Sequence, residues 1–520
     1  MSLVSERRGR SIFVALASAS LSLALVALLV IAGQARAAEN VYWDNYNTDS
    51  VSFADITGSG GGALNLTGVT LNDPEGMAFD SATGRLYVAS STGAPGTTGE
   101  IVYVNIDGSG AGVFNTSGAL VDEPYGVAID PTTRTIYWAN SGSSSSKGSI
   151  GYAKLDGGGG GLLNTSGVTV AEPYKLAADP VSGKVFWGNT EGTDAIAYAN
   201  LNNSGGGGLL NTTGATPPSS IYAIAVADGR VYWLESTSKR VSFAGVGGGS
   251  GGDIDLSAAP FNSAYGLAID PTVGRMYWGN YGSGTTTTNA IGFAGLNGTS
   301  PGGITPASAP VDGPQDPVIV KSPTGTGAPA VTRSTKSRSE LACSTGSWAA
   351  DLAGSFVYQA PRTFAYQWTL NGAAIAGATT PTLAAAKPGS YACSVTATNQ
   401  LGSANQTSAP INVKAAKVKL TTKKKAKVKP GGVATFKVKG VNQGDLKSKN
   451  ARVCVKLPGK AKGELTAKPK CKALGKVKGK GKDSAKLRVK VGENAGGTYK
   501  VTFQVKGSPG KAAKAKIVVG

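Results

Sequence analysis

The sequence has 520 residues, of which 75 are glycine and none is histidine. Without histidine the chain cannot form a Ser-His-Asp or Cys-His catalytic centre from its own residues, and the commonest metal ligand is missing as well. The net charge of +20 is unevenly spread: residues 38–413 carry 16 basic and 26 acidic residues, whereas residues 414–520 carry 29 Lys, 2 Arg and 4 acidic residues. The basic isoelectric point therefore comes from the C-terminal segment alone.

The N-terminus has the pattern of an export signal. Arg7, Arg8 and Arg10 precede an apolar run over residues 12–32, and Ala35-Arg36-Ala37 follows it as a small-x-small cleavage site. The sequence predicts a signal helix within residues 1–37 that is removed on export. An uncleaved membrane anchor is the alternative, because the run is about 20 residues long. The rest of the sequence has no second apolar stretch of that length.

Residues 38–323 repeat one unit six times. Each unit is marked by a pair of aromatic residues, or by a pair in which one of the two is replaced, and successive pairs are 45 to 50 residues apart. The six markers are Tyr42-Trp43, Tyr87-Val88, Tyr137-Trp138, Phe186-Trp187, Tyr232-Trp233 and Tyr277-Trp278. A fixed period of roughly 40–50 residues indicates a propeller or a solenoid, in which each unit leans on its neighbours.

Each repeat contains four short apolar stretches bounded by Gly, Pro, Asn or Asp, which predict four strands joined by turns. Asp-Pro between the first and second strands, as at Asp130 and Asp270, suits a type I turn. The chain opens at Val41 with a second strand, and residues 317–321 supply the matching first strand much later. The prediction is a six-bladed β-propeller closed by that late strand, since closure removes unpaired edges.

The aromatic pairs, each followed two residues later by Asn45, Asn140, Asn189 or Asn280, resemble the YWTD repeats of low-density-lipoprotein-receptor class B propellers. An Asn stands where that family has Asp, and Ser90 and Glu235 depart further. The chain is more loosely similar to bacterial NHL-like and lyase-type propellers. The resemblance implies an architecture. It does not imply one function, because this fold hosts binding modules, lactonases and lyases.

Residues 324–413 contain Cys343 and Cys393 on either side of Trp368, with Tyr391 two residues before the second Cys. This combination resembles an immunoglobulin-like sandwich, which implies a disulfide between the two sheets and a tyrosine corner. In an exported protein four Cys are expected to pair. Buried free thiols are the alternative.

Residues 414–520 alternate apolar residues with Lys, as in residues 433–440, which predicts strands with one solvated face. The layout resembles bacterial CARDB-like surface sandwiches, with Cys454 and Cys471 tying neighbouring strands. The predicted fold class is therefore all-β: a six-bladed propeller followed by two β-sandwich domains, with an N-terminal signal helix.

The lysines of residues 414–520 have two interpretations. One is binding to anionic cell-envelope polymers, and the other is a solvated surface that happens to be rich in Lys. Nucleic acid is the least favoured partner, because there are few Arg residues and no aromatic platform beside the lysines.

Candidate ligand-binding residues are those that depart from the repeat and fall on or beside predicted loops. They are Tyr46, Lys175, Glu191, Glu235, Lys239, Arg240 and Tyr281. Asp80, Asp130, Asp179 and Asp270 recur in the blades, which favours a role in turns over a role in one site. No catalytic residue, metal ligand or cofactor is predicted.

The predicted function is that of a non-catalytic binding or adhesion protein, secreted or on the surface of a bacterial cell. The propeller would recognise an extracellular protein or glycan, and the basic domain would hold anionic envelope polymers. One alternative is a propeller hydrolase or lyase that uses a carboxylate-bound divalent cation. Another is a structural surface protein without a specific ligand.

Overall fold

A computed structural model describes residues 39–91, 99–142, 148–190, 195–283, 290–350, 352–353, 363–399 and 401–520. The predicted signal helix and cleavage site therefore lie outside the described residues. Within them the regular structure is β-strand apart from three short 3-10 turns, Tyr46–Thr48, Tyr281–Ser283 and Gly459–Ala461. The all-β fold class predicted from the sequence is confirmed.

The chain divides into two compact units. The first contains the described residues up to Thr324 together with residues 349–350, 352–353, 398–399 and 401–403, and the second contains the other described residues. Among the described residues, no helix has the length and apolar character needed to cross a membrane. The further division of the second unit at residue 413 stays a prediction.

The first unit consists of six antiparallel sheets, the blades of a propeller, and each contains the four strands of one repeat. From the inner to the outer strand, blade 1 contains Val318–Lys321, Glu39–Asn45, Ser50–Asp55 and Gly62–Ala63, and blade 2 contains Pro74–Asp80, Arg85–Ser90, Glu100–Asn105 and Ala111–Val113. In the same order, blade 3 contains Pro124–Asp130, Thr135–Asn140, Ser149–Lys154 and Gly160–Leu162, and blade 4 contains Pro173–Asp179, Lys184–Asn189, Ala195–Asn200 and Gly207–Leu209. Blade 5 contains Ile221–Ala227, Arg230–Glu235, Arg240–Gly245 and Gly252–Asp255, and blade 6 contains Ala264–Asp270, Arg275–Asn280, Ile291–Gly295 and Gly302–Ile304.

Blade 1 is completed by a strand from the end of the propeller, as the sequence predicts. Val318–Lys321 pairs antiparallel with Glu39–Asn45, with Glu39 opposite Lys321 and Tyr42 opposite Val318. Leu352–Ala353 adds a short strand to the remaining edge of Val318–Lys321. The ring is therefore fastened by strand pairing between its first and last segments.

The recurring aromatic residues fill the space between blades. Six hydrophobic clusters each combine side chains of two consecutive blades, for example Trp278 of blade 6 with Tyr232 and Leu234 of blade 5. The five tryptophans of the repeat are fully buried. Because a buried aromatic side chain removes ~150–250 Å² from water, these clusters account for much of the propeller's stability.

The last residue of the second strand in each blade is hydrogen-bonded to the loop that leads into that blade. At all six positions a side-chain oxygen accepts a hydrogen bond from a backbone N–H of that loop, at distances between 3.0 and 3.2 Å. The acceptors are Asn45, Ser90, Asn140, Asn189, Glu235 and Asn280. Residues as different as Ser and Glu fit here because only an acceptor oxygen is required.

Each repeat has a three-residue segment that lines the central channel, such as residues 74–76 in blade 2 and 314–316 in blade 1. The residue before this segment adopts a left-handed conformation, with φ between 41° and 64°. These residues are Asp73, Glu123, Glu172, Ser220, Ser263 and Gly313. Only the last is glycine, the residue that adopts this conformation without a steric penalty. The other five blades therefore carry local backbone strain at this turn.

Replacing Ser263 with glycine is expected to stabilise the propeller. Removing the backbone strain of a left-handed non-glycine residue stabilises the folded protein by about 1–2 kcal/mol. The greater conformational entropy of glycine in the unfolded chain costs roughly 0.5–1 kcal/mol. The expected net gain in the free energy of unfolding is about 0.5–1 kcal/mol, measured by urea denaturation. Ser263→Ala is the control, since it removes the hydroxyl but keeps the strain. An equal gain in both variants would contradict the strain argument.

The second unit is also built from sheets. Its strands up to residue 413 are Gly325–Gly327, Val331–Arg333, Glu340–Cys343, Ser347–Trp348, Thr363–Leu370, Ala373–Ala374, Thr382–Ala384, Gly389–Asn399, Gly402–Thr407 and Ile411–Val413. Trp368 is fully buried against the Cys343–Cys393 disulfide in one hydrophobic cluster, and the Tyr391 hydroxyl donates to the backbone oxygen of Lys387 at 2.7 Å. The cluster brings together the Trp, Tyr and Cys residues singled out in the sequence.

Residues 414–520 form two five-stranded sheets. In spatial order the first contains Leu465–Thr466, Lys482–Val491, Val433–Asn442, Val418–Thr421 and Gly510–Lys511, and the second contains Lys425–Val428, Ala513–Val519, Gly497–Lys506, Ala451–Lys456 and Cys471–Gly475. The sheets share one core, in which the rings of Phe436 and Phe503 lie 5.1 Å apart. Cys454 and Cys471 form the second disulfide. Two disulfides are typical of proteins from oxidising compartments, which agrees with predicted export, although export itself stays a prediction.

Candidate functional site

The inner strands bring two layers of side chains to one end of the propeller's central channel. The second residue of each repeat's channel-lining segment forms the upper layer: Glu75, Tyr125, Tyr174, Tyr222, Tyr265 and Gln315. The third residue forms the lower layer: Gly76, Gly126, Lys175, Ala223, Gly266 and Asp316. The small residues are needed because the segments approach closely; a Cβ on Gly126 would lie 2.8 Å from the Lys175 Cα. This channel mouth is the candidate site.

Six tyrosines form a continuous series of ring contacts around the mouth, here called the tyrosine arc. In order they are Tyr125, Tyr174, Tyr222, Tyr265, Tyr281 and Tyr46, with neighbouring ring centroids between 4.7 and 5.9 Å apart. All six are partly exposed. The arc thus presents aromatic surface and phenol hydroxyls to a ligand entering the channel.

Glu75 occupies the upper-layer position at which four blades have tyrosine. Its side chain is buried, and its Oε2 accepts a hydrogen bond from the Tyr174 hydroxyl at 2.7 Å. Burial raises the pKa of Glu75 to about 7, against the opposing effects of the Lys175 ammonium and the Tyr174 hydrogen bond. A carboxyl group with a pKa near neutrality is suited to general acid–base catalysis.

Lys175 and Asp316 form a buried ion pair in the lower layer, with Nζ and Oδ2 2.7 Å apart. Burial alone would lower the pKa of Lys175, but the carboxyl groups of Asp316, Glu75 and Asp44 more than offset it, so the net shift is upward. The ammonium group is therefore charged beneath the tyrosine arc. Its Nζ also lies 4.9 Å from the centroid of the Tyr174 ring.

Asp44 adds a buried carboxyl group whose two oxygens have no hydrogen-bond partner among the described residues. The equivalent residues of the other blades are Ala89, Ala139, Gly188, Leu234 and Gly279. Burial and the neighbouring Asp316 raise the pKa of Asp44 well above its ordinary value. The Gln315 Oε1 is likewise buried without a described partner. Unpaired buried polar atoms are costly, and their concentration in one place points to a functional site.

Further carboxylates surround the arc. Burial and the Asp122 and Glu172 carboxylates raise the pKa of Glu123, and burial and the Asp49 carboxylate raise that of Asp73. These acidic side chains are near enough to one another for their charges to interact, so the rim is rich in carboxylates. The rim therefore attracts cations and repels anions.

Below the upper layer the channel narrows to a cavity of about 10 Å³, lined in part by Lys175 and Asp316. Such a volume holds about one water molecule, so this cavity has no room for a larger ligand. In the described part of the chain, no three His, Cys, Asp or Glu side chains are arranged to hold a metal ion.

The structure brings three of the seven predicted ligand-binding residues together. Tyr46 and Tyr281 end the tyrosine arc, with ring centroids 5.9 Å apart, and Lys175 lies beneath it. Glu191 falls outside the described residues. A ligand-binding role for all seven remains a prediction.

The other three lie together at one end of a hairpin in blade 5. Glu235 binds Arg240 at 2.8 Å and also receives the backbone N–H of Ser219. Lys239 is exposed in the connecting turn, with a left-handed φ of 50°. These contacts give Glu235 and Arg240 a structural role within the blade.

The four recurring aspartates lie at the opposite end of the inner strands, away from the tyrosine arc. In each, Oδ1 accepts the backbone N–H of the residue two positions later, at distances of 2.8 to 3.1 Å. Asp80 also pairs with Arg134, and Asp270 pairs with Lys321. The sequence-based assignment of these residues to turns is confirmed.

The first unit is therefore a six-bladed β-propeller with a polar, tyrosine-rich channel mouth. No protein-family model and no curated protein sequence matches the chain. Solved structures do share the fold. The periplasmic gluconolactonase PpgL of Pseudomonas aeruginosa is 16% identical, with 62% of this chain and 99% of that one covered at a TM-score of 0.36.

Two other solved structures extend this comparison. The gluconolactonase XC5397 of Xanthomonas campestris is 14% identical, with 47% of this chain and 84% of that one covered at a TM-score of 0.33. The hydrazine synthase of Kuenenia stuttgartiensis is 16% identical, with 49% of this chain and 73% of that one covered at a TM-score of 0.35. At this level of identity the similarity concerns the fold alone.

The prediction that the protein is not an enzyme is corrected, because its premise does not support it. Two of the solved structures similar to this chain are named as gluconolactonases. The sequence-based argument rested on the absence of histidine, which excludes only the mechanisms that require it. A buried carboxyl group with a pKa near 7 can act as a general base without histidine.

Proposed function

We propose that the propeller is a hydrolase or lyase whose acid–base group is Glu75. The observation that carries the proposal is the position of this carboxyl group: buried at the channel mouth, hydrogen-bonded to Tyr174, and with a pKa of about 7. At neutral pH a large fraction of Glu75 is then ionised and able to accept a proton. An ordinary surface glutamate would be a much weaker base.

In the hydrolytic reaction, the Glu75 carboxylate takes a proton from water while the water oxygen bonds to the carbonyl carbon of a cyclic ester. The intermediate then breaks its ring carbon–oxygen bond, and the protonated Glu75 returns the proton to the leaving oxygen. In the lyase reaction, the same carboxylate removes a proton from carbon, the bond between the adjacent carbon and the leaving oxygen breaks as the alkene forms, and the protonated Glu75 gives its proton to that oxygen. Both reactions use one group as base and then as acid.

Lys175 supports either reaction electrostatically. Its ammonium lies in the layer beneath Glu75, paired with Asp316 at 2.7 Å, and is shielded from solvent. A fixed positive charge in a site with little water stabilises negative charge that develops on a substrate oxygen. The Asp316 carboxylate also holds the ammonium group in place when the substrate is absent.

The surroundings favour a small, ring-shaped substrate that is neutral or positively charged. The tyrosine arc offers ring faces for stacking and hydroxyls for hydrogen bonds. The acidic rim disfavours phosphorylated compounds. Neutral sugar lactones fit this description better than their phosphate esters.

The test is turnover of neutral lactones, with glucono-1,5-lactone first, of their 6-phosphates, and of eliminable uronates, between pH 5 and 9. We expect turnover of a neutral substrate, with kcat/KM rising with pH to a plateau and a midpoint near pH 7. Tyr174→Phe removes a hydrogen bond that lowers the pKa of Glu75, so its midpoint should move to higher pH. The assay measures the rate of lactone opening or of alkene formation.

Tyr222→Phe is the matched control. Tyr222 belongs to the same arc, but the described hydrogen bond to Glu75 comes from Tyr174. An unchanged midpoint in Tyr174→Phe, or an equal shift in both variants, would remove Glu75 as the titrating base. Absence of turnover over the whole panel, with and without added calcium, would refute the proposed function.

A further inference from the structure

The lysine sandwich, residues 414–520, carries positively charged residues directly opposite one another on its outer faces. On the first sheet Lys437 faces Lys486 across neighbouring strands, and Lys419 lies beside Lys511. On the second sheet Lys500 faces Lys516. All of these lysines are exposed. Like charges at directly opposed positions destabilise a sheet, so these faces carry a repulsion that the fold does not require.

The sandwich does not neutralise its lysines internally. None of the ion pairs found in the described residues involves a lysine of this segment. Two of its four acidic residues are engaged otherwise: Asp445 pairs with Arg333 and Arg338, and Glu464 accepts a hydrogen bond from the Tyr499 hydroxyl at 2.6 Å. The positive charge is therefore left for counterions or for an external partner.

An open groove of about 610 Å³ lies across the three central strands of the first sheet. Its lining consists of hydroxyl and ammonium groups with one carboxylate: Thr421, Thr422, Lys423, Lys437, Lys439, Lys482, Asp483 and Ser484. Lysine ammonium groups act as point charges without the planar fork of arginine, so they suit anions of variable geometry. The aromatic residues of the segment, Phe436, Tyr499 and Phe503, are buried and cannot stack on bases.

We propose that the lysine sandwich binds a flexible linear polymer of phosphodiester or carboxylate groups, with this groove and the adjoining Lys437–Lys486 face as its binding surface. The unpaired lysines supply many weak contacts, and the polymer relieves their mutual repulsion. Affinity then depends on charge density along the polymer and falls steeply with salt. This inference is independent of the function proposed for the propeller.

The test uses the full-length protein with poly(glycerol phosphate) and poly-L-glutamate as probes, titrated at several KCl concentrations. The face variant is Lys437→Gln with Lys439→Gln and Lys486→Gln. By analogy with single-stranded nucleic acids, where each contact contributes about 0.7 to the slope of log K against log salt, the slope should fall by about 2. At 0.1 M KCl the affinity should fall at least tenfold.

The matched control is Lys460→Gln with Lys462→Gln and Lys468→Gln, which removes the same charge from exposed positions outside the two sheets. The proposal predicts a much smaller loss of affinity in this control. Binding to either polymer supports the proposal, and comparison of the two identifies the anionic group. Equal losses in the two triple variants, no binding to either polymer, or binding to duplex DNA alone would overturn it.

A second variant separates binding from folding. Lys486→Glu places opposite charges across the strands, so the melting temperature should rise while the affinity for both polymers falls. Loss of binding through misfolding would lower the melting temperature instead. A lower melting temperature, or unchanged affinity with a higher one, would contradict the proposed role of this face.

Discussion

Glu75→Gln is expected to reduce turnover by 10²- to 10⁴-fold, the usual contribution of general acid–base catalysis. The amide keeps the shape of the side chain and still accepts the Tyr174 hydrogen bond, but it cannot take up a proton. The decisive measurement is kcat with a saturating neutral substrate, together with ligand binding at equilibrium. Retained binding with lost turnover is the expected result. Full activity in this variant would exclude Glu75 as the acid–base group.

The same substitution has an opposite effect on stability. The pKa of Glu75 is about 7 in the folded protein and near its ordinary value of 4.5 when unfolded. Between these two pH values the unfolded chain releases a proton that the folded protein retains, so the free energy of unfolding falls as pH rises. Glutamine does not titrate, and Glu75→Gln should therefore be more stable above pH 7, by roughly 1–3 kcal/mol. At pH 4 the difference should disappear.

Ile319→Ala is expected to lower the free energy of unfolding by about 2–5 kcal/mol. Ile319 lies in the closing strand of blade 1, where it is fully buried and packs with Val41, Trp43 and Tyr277. The substitution removes apolar contacts from both ends of the propeller sequence at once. Urea denaturation followed by tryptophan fluorescence measures the loss.

Two variants test whether the effect belongs to packing at the closure. Ile319→Val removes one methylene group and should cost about 0.5–1.5 kcal/mol. Val181→Ala changes a residue that is 93% exposed in a turn of blade 4, and should remain within about 0.5 kcal/mol of the wild type. A cost for Ile319→Ala no larger than that for Val181→Ala would mean that the closing strand contributes little to stability.

The propeller is predictable from the repeat because every blade must bury the same apolar face against its neighbour. The aromatic pair recurs wherever a second strand faces the neighbouring blade, and the strand at residues 318–321 was identifiable as the missing partner of Glu39–Asn45. The recurring aspartates were assigned to turns for the same reason. Residues that recur from blade to blade therefore have structural roles in the fold.

The candidate site was harder to predict because it depends on which departures from the repeat share one layer of the channel. Lys175 was found as such a departure, as were Tyr46 and Tyr281. Glu75, Asp44 and Asp316 were missed, although each replaces a residue of a different chemical type at its repeat position. Alignment of the six repeats by strand register would have revealed them. Burial and the resulting pKa near 7 require the three-dimensional structure.

The pairing of Glu39 with Lys321 has a consequence for folding. These residues are about 280 positions apart, so the first blade stays incomplete until almost the whole propeller has been synthesised. Contacts of such high sequence separation are associated with slow folding. Until then Glu39–Asn45 exposes an edge that can pair with another chain, which makes a delayed or interrupted synthesis the stage at which aggregation threatens this protein most.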